Sequence, residues 1–68
     1  MDAATSFVGL IGPAIERGDS TVLKRIVPYA DQYLLQGDCT RGVLSQTLRD
    51  AYPNSELAEA CAELIAKA

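Results

Sequence analysis

The chain has 68 residues, 49% of them hydrophobic and 22% charged, with six Lys or Arg against nine Asp or Glu and a net charge of −3. A chain this short makes one domain, 1–68, and buries only about 60% of the surface its unfolded form exposes, so its margin of stability is narrow. The acid surplus and pI near 4.6 argue against a sequence-independent nucleic-acid binder, which needs excess Lys and Arg. With no His, no Gly-rich phosphate loop and no nucleophile beside a base, no catalytic residue, cofactor site or metal site is expected.

Gly18-Asp19, Gly37-Asp38 and Pro53-Asn54 cut the chain into segments that each carry an apolar stripe of helical period. This predicts an all-α fold, a small bundle of four short helices over about 2–17, 19–36, 38–52 and 54–67. In the first, Phe7, Leu10, Ile11, Ala14 and Ile15 share a face. Pro13 lacks an N–H and clashes with the preceding turn, so a kink or a restart capped by Gly12 is expected there. No part of this apolar run is long enough to span a bilayer.

The second segment carries two adjacent stripes, Val22-Ile26-Tyr29-Tyr33 and Leu23-Val27-Ala30-Leu34, with Pro28 expected to bend it. Its arc is wider than one neighbour covers, which marks it as the central helix. The third has a narrow stripe, Leu44-Leu48-Ala51, and Gly42 in its first turn costs about 1 kcal/mol of propensity; it is the weakest. The fourth is alanine-rich, with Leu57, Cys61, Leu64 and Ala68 in one row, Ala60 and Ile65 beside it, and Ala58, Ala62 and Ala66 as a small-residue row. That second row permits close helix approach, either inside the monomer or at an interface.

Gly-Asp-Ser-Thr at 18–21 returns as Gly-Asp-Cys-Thr at 37–40. Helix junctions converge on these letters, because Gly suits the position past a helix end and Asp, Ser or Thr the next cap. Residues Ala14 to Val27 resemble the helix pair of an ankyrin unit, but no Thr-Pro-Leu-His turn precedes them and no second unit follows. Arg17-Gly18-Asp19 reads as a junction between helices.

Cys39 is expected in the first turn of the third helix, where the dipole and Arg41 lower a thiol pKa, and Cys61 in the core. Two cysteines are too few for a disulfide framework, and Met1-Asp2-Ala3-Ala4 carries no positive start of a secretory signal, so a cytoplasmic setting with reduced thiols is expected. Glu59 and Glu63 read as a solvated face, with Glu63-Lys67 as a weak i,i+4 pair.

These features point to a small non-enzymatic protein-interaction module, such as a docking domain, adaptor, assembly factor or inhibitor. It would present an apolar helical face to a protein partner, a second copy in a homodimer being one candidate. Val22, Ile26, Tyr29 and Tyr33 are the expected partner-binding residues, since tyrosine combines large area with a polar tip. The alternative is a helix-turn-helix regulator with 40–52 as recognition helix, offering Arg41, Ser45, Gln46 and Arg49 to base edges. The acidic fourth helix would then face the same phosphates, which disfavours it.

Overall fold

Short polar side chains at the helix starts set the element boundaries. Asp2 Oδ1 accepts the Thr5 N–H at 2.7 Å, Thr40 Oγ1 that of Val43 at 3.2 Å, and Ser55 Oγ that of Ala58 at 3.1 Å. Each side chain thereby supplies an acceptor to one of the N–H groups that a first helical turn cannot pair. The computed structural model, which describes residues 2–34 and 39–68, contains α1 (Ala3–Arg17), α2 (Val22–Leu34), α3 (Arg41–Ala51) and α4 (Glu56–Lys67). There is no strand among the described residues, so the fold is the all-α bundle of four short helices. The Gly37-Asp38 junction, the expected end of the second helix at Gln36 and the expected start of the third at Asp38 lie outside the described residues.

Helix α1 starts one residue later than periodicity implies and α2, α3 and α4 two or three residues later, and in these three the polar residues are spent on the turn. Asp19 Oδ1 accepts from both the N–H and the hydroxyl of Thr21, at 3.1 and 2.6 Å. Backbone bonds then run three residues back, from Val22 to Asp19, Leu23 to Ser20 and Lys24 to Thr21. Helix α2 thus begins at Val22, not Asp19. Thr40 caps α3, which places Cys39 ahead of the helix and not in its first turn. Tyr52 closes α3 with its N–H on the Leu48 carbonyl, and Ser55 donates to the Tyr52 carbonyl before α4 starts.

Neither internal proline ends its helix. Helix α1 passes through Pro13 and α2 through Pro28 without a break, so Gly12 is not a cap. The carbonyls these prolines leave without a helical donor belong to Gly9 and Lys24, both exposed residues, where water can serve as donor. Helix α1 stops instead at Gly18, whose φ of 67° lies in the left-handed region that glycine enters without strain. The Gly18 and Asp19 N–H groups fold back onto the Ile15 and Ala14 carbonyls, a Schellman-type end.

One core joins all four helices. Phe7, Ile11 and Ile15 of α1 meet Val22, Ile26 and Ala30 of α2, Leu44 and Leu48 of α3, and Ala58, Cys61, Ala62 and Ile65 of α4. Helix α4 packs on α3 and α2, and α1 on α2 and α3. The face of α4 that turns inward is Ala58-Cys61-Ala62-Ile65, so most of the alanine row is inside the monomer, while Leu64 is 39% exposed. Small side chains let the helix axes come close, which draws that edge of α4 inward.

Gly12 is buried for a related reason. A Cβ there would lie 2.6 Å from the Tyr52 hydroxyl oxygen, whereas a Cβ at Gly9 meets nothing within 4 Å. We therefore expect opposite outcomes from the same chemical change. Gly9→Ala gains about 1 kcal/mol of helix propensity and raises the melting temperature by roughly 4–8 °C. Gly12→Ala meets an overpacking cost of about 1–3 kcal/mol and melts below Gly9→Ala. Adding Tyr52→Phe, which removes the obstructing oxygen, should recover the difference; no recovery would show that the hydroxyl is not the obstacle.

Candidate docking surface

The residues expected to meet a partner divide between inside and outside. Val22 and Ile26 are buried in the core, Ile26 completely, so the first half of the expected partner stripe serves the monomer. The reason is that α2 packs against α1, α3 and α4 at once, and its row 22-26-30 faces all of them. Tyr29 and Tyr33 are half-buried and rest on the core. The Tyr33 ring meets Phe7 edge-on, with centroids 5.6 Å apart and planes at 64°, an attractive alignment of ring edge and face. Tyr33 thereby holds α2 to α1, leaving Tyr29 as the tyrosine nearer to a ligand-accessible surface.

Tyr29 borders an open groove of about 340 Å³ between α1 and α2. Leu10, Pro13 and Ala14 form one wall, Thr21, Arg25 and Tyr29 the other, with Ile11 and Val22 at the floor. Leu10 is 47% exposed. It was expected on the core face with Phe7 and Ile11, but that stripe is too wide for one neighbour, and Leu10 falls on the edge that no helix covers. Arg17 at the end of the groove is paired with Asp19 at 3.5 Å. Arg25 is exposed and makes no ion pair among the described residues. The groove thus sets an aliphatic wall of Leu10, Pro13 and Ala14 against a polar side of Arg17, Asp19, Thr21, Arg25 and Tyr29, with dimensions at the small end for a ligand site.

A second groove, about 440 Å³, lies between the start of α1 and α3, where Ala3, Thr5, Val43, Thr47 and Cys39 line it with Asp2. Its side chains are mostly short, and its chemistry is quiet. Burial, helped by the nearby Asp2 carboxylate, pushes the Cys39 thiol up from its ordinary value. The dipole and Arg41 were expected to lower it, but Cys39 sits before the helix and Arg41 is turned to Asp31 at 3.3 Å. Burial likewise pushes Cys61 up to about 11. No group of His, Cys, Asp or Glu among the described residues could hold a metal ion, and no helix is long and apolar enough to cross a membrane.

The side chains proposed to read bases are committed within the protein. Arg49 Nε donates to Glu59 at 2.9 Å, Arg41 pairs with Asp31, Gln46 donates to Asp50 at 2.9 Å, and buried Ser45 donates to the Gly42 carbonyl at 3.1 Å. Glu59 therefore ties α4 to α3, and the ion pair of α4 is this one; Glu63 and Lys67 form none among the described residues. The Glu59 carboxylate in turn raises the pKa of Arg49. No family model, curated protein or solved structure matches the chain.

The cysteines give a direct check on burial. The native protein at pH 8 should leave Cys61 unmodified by iodoacetamide and alkylate Cys39 more slowly than an unfolded control, since the thiolate is the nucleophile. Cys61 in the folded chain titrates at about 11, against about 8.5 in an unfolded one. Folding prefers the neutral thiol, so this contribution is complete below the unfolded pKa and is lost as pH rises toward the folded one. Denaturant melts should show stability falling across that window in wild type and falling less in Cys61→Ala.

Proposed function

We propose that the chain is a non-enzymatic helical protein-interaction module that receives a partner in the α1–α2 groove. The observation that carries this reading is the exposure of Leu10 beside Tyr29 and Arg25. A large aliphatic group, an aromatic with a polar tip and an arginine are the side chains that anchor protein interfaces. The engagement of Arg41, Ser45, Gln46 and Arg49 within the bundle supports a protein partner over base recognition.

Leu10→Glu places a charge on the groove wall and removes little from the core. It should retain the helical circular dichroism of wild type while losing capture of the partner that the immobilised wild-type chain retains from extracts of its source cell. Tyr33→Ser, by contrast, removes the ring that packs on Phe7 and should cost about 0.5–3 kcal/mol of stability, the usual range for a destabilising point change. Equal capture by Leu10→Glu and wild type would end the groove reading. Retention of the wild-type chain on heparin at low salt, with elution by added salt, would favour the nucleic-acid alternative instead.

A further inference from the structure

We draw no further inference here: the strongest candidate, the outward apolar edge of α4 where half-buried Leu57 and Ala60 adjoin exposed Leu64, carries nothing because nothing in the structure shows what covers it.

Discussion

The left-handed turn at Gly18 is the constraint on which the rest of this structure depends. With φ at 67° it ends α1 and folds the Gly18 and Asp19 N–H groups onto carbonyls of the last turn, and Asp19 then uses its side chain to organise Thr21. Donation from the Thr21 hydroxyl and N–H holds the Asp19 carboxyl below its ordinary value, which favours the charged form that the turn uses. The chain reverses as a result: Phe7 near the start of α1 meets Tyr33 near the end of α2, while Arg17, Asp19 and Thr21 share the opposite end of the groove. The antiparallel pair creates both the wall that shelters Phe7 and the groove outside it. A residue with a Cβ at position 18 would strain that reversal.

Volume is the second constraint. The fully buried large side chains are few, Phe7, Ile11, Ile26, Leu44, Leu48, Ile65 and Cys61, and the space between them is closed by alanine, glycine and serine. Ala30, Ala58 and Ala62 let α2 and α4 approach their neighbours, and Gly12 admits the Tyr52 hydroxyl. Close approach makes good contacts from small groups, since dispersion depends on near distance. It also leaves less interior for leucine, and Leu10 and Leu64 stay outside. Interior economy and exterior stickiness are thus one fact: a core that packs tightly with small residues displaces its larger ones to the surface.

The sequence made the four helices legible because caps and periodicity are local. Gly18 past the end of α1, the Pro53-Asn54 break before α4 and the pairs Phe7-Ile11 and Leu44-Leu48 all follow from interactions within a few residues. The direction of each helix face was less legible. Period fixes the angle between Val22 and Tyr29, or between Leu57 and Ala62, but the rotation of the whole wheel is decided by neighbours. On α2 those neighbours took Val22 and Ile26; on α4 they took Ala62 and left Leu64. Cys39 shows the same dependence at one residue, because a shift of the cap to Thr40 moved the thiol out of the helix field and into a setting where burial and Asp2 raise its pKa. The candidate groove was legible only through Tyr29, since nothing in the spacing of Leu10 separates it from the core leucines.

Charge placement bears on the proposed docking at the α1–α2 groove. Arg17, Arg41 and Arg49 each reach a carboxylate on their own molecule, in pairs whose side chains stay more than a third exposed, at least in part. Such pairs contribute only about 0–1 kcal/mol each to stability, so their larger consequence is electrostatic: they offset the charge of Arg41 and Arg49 on α3 and of Arg17 at the end of the groove. Arg25 is exposed, has no ion-pair partner among the described residues and lines the groove with Leu10 and Tyr29. Exposed Lys24 and Lys67 likewise form no ion pair among the described residues, but Arg25 is the cation of the three that lines the groove; a charge so placed directs orientation more than it adds affinity. In the docking reading proposed above, the aliphatic wall of Leu10, Pro13 and Ala14 supplies the area that a charge alone lacks.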